Sequence, residues 1–194
     1  MIAVLESILK GLAVRVKDSG FVSKSGGLLQ ETTIVTSGAS IVRAAAQVAP
    51  FIDGKLVDVH PDSNETVVTF FQAGPSRVIR QDMYISQIEN DITLIGWING
   101  NRIRGTENAD PEMAVMSIIR KARFQVDSGS PIRSVEIDFS GDNDAIQLSR
   151  WGWDKPEFQY GAFPHRFFQQ RFRISYVLAT GCATQSVHVL NPSC

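Results

Sequence analysis

The sequence of 194 residues has few of the residues that mark a chemical site. Its two cysteines and three histidines are too few for a disulfide framework, and Cys182, His188 and Cys194 match none of the usual spacings of a structural zinc site. It also has no Walker-type phosphate loop, no G-x-G-x-x-G dinucleotide loop and no G-x-S-x-G nucleophile elbow. We therefore expect no metal, no cofactor and no enzymatic activity.

Net charge and long apolar runs are also lacking. Nineteen basic residues against twenty acidic ones leave a formal charge of −1, so no long-range field attracts DNA or anionic lipid. No apolar run approaches the roughly 20 residues of a transmembrane helix. The first seventeen residues are interrupted by Glu6, Lys10 and Arg15 and do not begin with the basic region of a secretion signal. We expect cytoplasmic synthesis and no membrane partner.

The first fifty residues begin with an apolar stripe whose spacings of three and four predict an amphipathic helix. The members of the stripe are Ile2, Leu5, Leu9, Leu12 and Val16. Residues 18–31 are rich in serine and glycine, which predicts a loop or a mobile arm. Residues 37–49 are alanine-rich and precede Pro50, which predicts a second, short helix. We expect residues 1–50 to form an N-terminal helical segment with a flexible loop.

The pattern after residue 51 is typical of strands. Short runs rich in Val, Ile, Phe and Trp alternate with turn-forming residues, and an antiparallel set is the simplest arrangement. The runs are 55–59, 65–71 and 91–98, and the turns are 61–64 and 74–76. The expected fold is α+β: a mixed or mostly antiparallel sheet packed by two or three helices, in a single domain with extended loops. Its α/β core should span residues 51–194.

Two later segments carry the clearest local patterns. Asp110, Pro111 and Glu112 combine an N-cap, a first-turn proline and an acid at the positive end of a helix. The residues that follow should form a helix that buries Val115 and Ile119. Strict alternation predicts half-buried strands over residues 133–139 and 168–178.

An aromatic segment lies between those two strands. Seven of the seventeen aromatic residues fall within residues 151–168, where glycine and proline make the backbone irregular. The rings could cover one end of the core, or they could form an interface in which nearby arginines take part, because Trp, Tyr and Arg anchor protein contacts. The candidate interface residues are Trp151, Trp153, Phe158, Tyr160, Phe163, Arg166, Arg171 and Arg173.

The order of these elements resembles that of tailed-bacteriophage neck and tail-terminator ring proteins, and is most similar to the ring proteins of crAss-like phages. The resemblance lies in an N-terminal helix followed by FIDGKLVDVHPDSNETVVTFFQ, DITLIGWING, DPEMAVMSIIRKARF and FPHRFFQQRFRISYVL. It implies a virion protein assembled in the host cytoplasm, in which copies form a homo-oligomeric ring. That ring would connect the portal to the tail, contact adjacent portal, neck or tail ring proteins and let genomic DNA pass through its lumen.

Two other classes of function stay open from the sequence. One is a hydrolase-type enzyme in which His165 and a carboxylate converge in space. The other is a module that binds a small molecule or a peptide in a closed apolar pocket.

Overall fold

A computed structural model describes residues 2–36, 39–51, 54–59, 62, 64–103, 110–126, 131–139, 165–179 and 187–190. Two helices and nine strands lie in these ranges. They are α1 (Ile2–Lys17), β1 (Lys24–Thr36), β2 (Ala39–Val48), β3 (Leu56–Asp58), β4 (Val67–Gln81), β5 (Ile85–Asn99), α2 (Pro111–Arg120), β6 (Arg123–Val126), β7 (Ile132–Asp138), β8 (His165–Ala179) and β9 (Val187–Leu190).

Seven strands form one mixed sheet in the order β3-β2-β1-β4-β5-β8-β7, and β6 pairs with β9 in a second, two-stranded sheet. Within the large sheet β1 and β4 are parallel, and all the other neighbouring strands are antiparallel. A sheet of this kind with two helices confirms the α+β class expected from the sequence. The strands β1 and β2 belong to the same hydrogen-bonded sheet as the strands after residue 50.

The main core lies on the face of the large sheet that carries α1, which we call the helical face. The apolar stripe of α1 is buried as its spacing predicts: Leu9, Leu12 and Val16 are fully covered. They belong to the same core cluster as Val115 and Ile119 of α2 and as apolar residues of β4, β5 and β8. Burial of each such side chain contributes about 1.5–3 kcal/mol, so packing rather than helix propensity stabilises these helices.

The start of α2 follows from its capping residues. The carboxylate of Asp110 accepts a hydrogen bond from the backbone N–H of Glu112 at 3.1 Å, and Pro111 occupies the first turn. Both features satisfy or remove backbone donors that the helix itself leaves without partners. The predicted N-terminus of this helix is therefore confirmed.

A second, smaller cluster lies on the opposite face of the sheet, which we call the far face. It is built from small residues of β2 and from large residues of the central strands β4 and β5. The indole of Trp97 is fully buried there, together with Val68 and Phe70. The alternation of β5 explains both clusters, since Ile92 and Leu94 face the helices while Ile95 and Trp97 face the other way.

Three local predictions are wrong. Residues 24–36 form β1 rather than a loop, and residues 39–48 form β2 rather than a helix. The turn predicted at residues 74–76 lies inside β4, where the pairing with β5 shifts register between Ala73 and Ser76. Glycine, proline and serine suit such a bulge as well as they suit a turn, so composition alone did not distinguish the two.

Candidate functional site

The candidate interface residues predicted from the sequence divide into two groups. Five aromatic residues lie outside the described residues: Trp151, Trp153, Phe158, Tyr160 and Phe163. Arg166, Arg171 and Arg173 lie on β8. The continuous register of β8 against β5 fixes which face of the sheet each arginine occupies.

Arg166 lies on the helical face, opposite Ile98. Its guanidinium is 2.7 Å from a carboxylate oxygen of Asp110 and 4.0 Å from Glu112, so it joins β8 to the start of α2. Burial raises the pKa of the Glu112 carboxyl, against the lowering effect of Arg166. Because the side chains of Arg166 and Asp110 are 55% and 43% exposed, the pair contributes only about 0–1 kcal/mol. Arg166 thus forms an ion pair within the subunit, and its predicted place in an interface stays a prediction.

Arg173 belongs to a ladder of opposite charges on the far face. Its Nε is 3.3 Å from Asp91 and 3.6 Å from Glu89, both on β5. From the other side, Arg77 of β4 is 2.7 Å from Asp91, and this hydrogen bond raises the pKa of Arg77. Arg171 is exposed on the same face as Arg173. The three arginines grouped by sequence are therefore separated by the sheet, with Arg166 on one face and the other two on the opposite face.

The most exposed apolar surface of the described chain is the outer half of the β4–β5 hairpin, which sequence reasoning missed. Every residue of β4 from Ala73 to Gln81 is exposed. Four large apolar side chains in this hairpin are more than half exposed: Val78 (53%), Ile79 (53%), Met83 (79%) and Tyr84 (73%). We call these four residues the hairpin patch. An apolar cluster that faces solvent is typical of a protein interaction surface.

The turn that carries the hairpin patch is well defined. The carboxylate of Asp82 accepts hydrogen bonds from the backbone N–H groups of Tyr84 and Ile85, both at 2.9 Å. These two bonds lower the pKa of Asp82. The backbone N–H of Asp82 donates in turn to the carbonyl of Ile85 at 2.9 Å. Met83 and Tyr84 are therefore held at the tip of an ordered two-residue turn.

A groove of about 430 Å³ lies beside β7, at the end of α2. Its apolar part is formed by residues of β6 and β7 and by Ala122, and its charged part by Arg120, Arg123 and Glu136. The guanidinium of Arg120 lies 5.0 Å from the ring centre of Phe139. The lining residues are Arg120, Ala122, Arg123, Phe124, Val135, Glu136 and Ile137.

His165, the residue on which a hydrolase would depend, packs edge-on against Trp97 with ring centres 5.5 Å apart. Burial lowers its pKa, so the folded protein favours the neutral imidazole. An unfolded chain, with an ordinary histidine pKa of about 6.5, takes up the proton first as the solution is acidified. The stability linked to His165 is therefore present above pH ~6.5 and is lost as the pH falls through the lower pKa of the folded state.

We expect the melting temperature to decrease as the pH is lowered from 7 to 5, and to decrease less in His165→Gln. Differential scanning calorimetry of the two proteins across that range measures the difference. Equal acid sensitivity in both would show that His165 does not contribute to it.

Neither a metal cluster nor a membrane-spanning helix is found in the part of the chain that the structure describes. No group of three or more His, Cys, Asp or Glu side chains there could hold a metal ion. No helix among the same residues is long and apolar enough to cross a membrane. Comparisons with protein-family models, with curated proteins and with solved structures find no match.

Proposed function

We propose that this chain is a structural subunit of a tailed-phage virion, where copies assemble into a ring that connects the portal to the tail. In this function the ring contacts adjacent portal, neck or tail rings, genomic DNA passes through its lumen, and the subunit is not an enzyme. The proposal combines the resemblance of element order with one structural observation, the exposed hairpin patch.

Two properties of the hairpin patch favour assembly: its side chains are large and apolar, and the hairpin that carries them is held by hydrogen bonds. Burying one large apolar side chain is worth about 1.5–3 kcal/mol, so four such residues can provide a substantial share of a contact between subunits. The patch also lies on a hydrogen-bonded hairpin, which limits the conformational entropy lost on binding. Scattered exposed apolar residues are normal, but these four lie within seven residues of sequence at the end of one hairpin.

Assembly of the full-length chain tests this proposal. We expect closed rings of several copies in negative-stain electron microscopy and a single large species in native mass spectrometry, either alone or with an adjacent ring protein. The double variant Met83→Ser, Tyr84→Ser should lower the assembled fraction at least tenfold.

The matched control is Met113→Ser, because Met113 is 63% exposed but lies on α2 and outside the hairpin patch. This variant should assemble like the wild type. A wild-type chain that stays monomeric with every candidate ring protein would contradict the proposed function. Equal assembly of the double variant and the control would show that the hairpin patch does not form the contact.

A further inference from the structure

The outer half of the large sheet is a four-stranded antiparallel unit in the order β4, β5, β8, β7. Residues 73–81 of β4 pair with β5, and β8 pairs in turn with β5 and with β7. The strand β1 pairs with β4 only up to Phe71. Among the described residues no strand pairs with the outer side of β4 beyond that point, or with the outer side of β7. Within the described residues the unit therefore has two edges without a paired strand, which we call its open edges.

Two backbone hydrogen bonds show which residues direct their N–H and C=O groups out of the β4 edge. The N–H of Asp82 donates to the carbonyl of Ile85, so the odd-numbered residues of β5 face β4 and the even-numbered ones face β8. The bond from the N–H of Asn99 to the carbonyl of Thr66 agrees with this alternation. Val78, which lies opposite Ile88, therefore points its backbone groups outward.

The same reasoning applies to β7. The N–H of Ala179 donates to the carbonyl of Pro131, so the odd-numbered residues of β8 face β7. Glu136 lies opposite Ser175 and bonds inward, whereas Val135 lies opposite Tyr176 and points outward. Both open edges thus present, at a valine, backbone groups that no described strand pairs with.

The charges on the far face alternate in sign from strand to strand. Arg77 on β4 is basic, Glu89 and Asp91 on β5 are acidic, and Arg173 on β8 is basic. On β7, Glu136 is exposed on the same face, opposite the neutral Ser175. At this level of the far face the unit therefore begins with the basic Arg77 and ends with the acidic Glu136 and Asp138, so a second copy placed edge to edge would continue the alternation. Arg133, which is also exposed on β7, lies toward the other end of that strand.

We propose that the open edge of β4 in one copy pairs antiparallel with the open edge of β7 in the next copy. The outward backbone groups of the two edges can bond to each other in one register. In that register Val78 lies opposite Val135, and Arg77 lies opposite Glu136, of the second copy. The side chain of Val78, on the helical face, then enters the groove that Val135 and Phe124 line. Because the four strands of each unit alternate in direction, β7 runs opposite to β4. The contact between successive copies is therefore antiparallel in every repeat.

The contact is heterologous, because it joins two different edges, and such contacts close into rings when the rotation between copies permits. The inference rests on the proposed function in taking the neighbour to be a second copy of the chain. It goes beyond that function in naming the two edges and their register. Edge pairing of this kind supplies main-chain hydrogen bonds along the whole contact.

Proline substitutions that remove one outward N–H test the two edges separately. Val78→Pro blocks the β4 edge and Val135→Pro blocks the β7 edge. Neither removes a hydrogen bond of the described sheet, since proline is tolerated where the N–H faces away from the sheet. Val78→Thr and Val135→Thr keep the N–H and serve as controls. Circular dichroism and thermal unfolding check that each variant folds.

We expect the threonine variants to form wild-type rings and each proline variant alone to be a monomer in sedimentation velocity. An equimolar mixture of the two proline variants should give a 1:1 heterodimer and nothing larger, because only one intact β4 edge and one intact β7 edge remain to meet. If either proline variant fails to fold, Val78→Lys and Val135→Lys replace the pair, with the same expected heterodimer.

The outcomes separate this inference from the proposed function. Wild-type rings from both blocked variants would overturn the edge contact and leave the ring function standing. Folded variants that stay monomeric when mixed would show that the two edges do not pair with each other. A wild-type chain that never assembles would contradict the ring function, and this contact with it.

Discussion

Replacing Gly96 by alanine should destabilise the protein by about 1–3 kcal/mol, although it adds a single methyl group. Gly96 on β5 lies directly opposite Phe168 on β8. The aromatic ring lies over the glycine, so an added Cβ would lie 2.5 Å from Cε1 of Phe168. Phe168 is only 4% exposed and is packed in the main core, so the ring cannot move away without opening that core.

A double-mutant cycle measures this close approach. Urea unfolding followed by circular dichroism gives the free energy of unfolding of Gly96→Ala, Phe168→Leu and the double variant. The alanine should cost at least 1 kcal/mol less in the leucine background, because residues in direct contact couple by about 0.5–3 kcal/mol. An unchanged cost would mean that the penalty comes from the backbone rather than from the ring.

The elements that the sequence predicted correctly are those whose pattern reflects burial on one side. Three patterns predicted local structure correctly, because each depends mainly on neighbouring residues in the sequence. They are the apolar stripe of α1, the capping residues of α2 and the alternation of β8. The alternation of β8 also contained the information that Arg166 and Arg173 lie on opposite faces. Grouping the arginines by sequence proximity lost that information, although a period of two predicts it.

The two N-terminal strands were missed because their composition follows a long-range requirement. An added Cβ on Gly26 of β1 would lie 2.9 Å from the Cβ of Ala46 on β2 and 3.3 Å from that of Phe70 on β4. Gly26 therefore allows three strands to approach closely, and alanines fill the adjacent space on β2. Read locally, the same residues indicate a loop and a helix, because strand propensity depends on neighbours that the sequence does not reveal.

The hairpin patch could not be predicted because the type of a residue does not determine whether its side chain is exposed. Val78 and Ile79 follow the same β-branched pattern as the buried Val67 and Val68 of the same strand. They differ in what covers them: Val67 lies in the main core and Val68 in the far-face cluster, whereas β1 pairs with β4 only up to Phe71 and the residues beyond are exposed. A local sequence pattern identifies the strand, but the path of a distant strand decides which half of it is covered.

Trp97→Ala should produce the largest loss of stability, about 3–5 kcal/mol, because it empties the centre of the far-face cluster. The indole is fully buried beside Val68 and Phe70, and the methyl side chains of the alanines on β2 are too short to fill the space. Met113→Ala removes a large side chain that is 63% exposed and should cost less than about 0.5 kcal/mol.

Trp97→Phe separates packing from polarity at the same position. The indole Nε1 is buried and makes no hydrogen bond within the described structure, so the wild type already bears the desolvation cost of that donor. Phenylalanine removes the donor and keeps most of the ring, and its cost should be less than half that of alanine. Equal losses for Phe and Ala in urea unfolding would mean that the N–H has a partner whose loss matters. Equal stability of Trp97→Ala and Met113→Ala would mean that the far-face cluster contributes little to folding, and that the helical face alone stabilises the sheet from which the β4 and β7 edges extend.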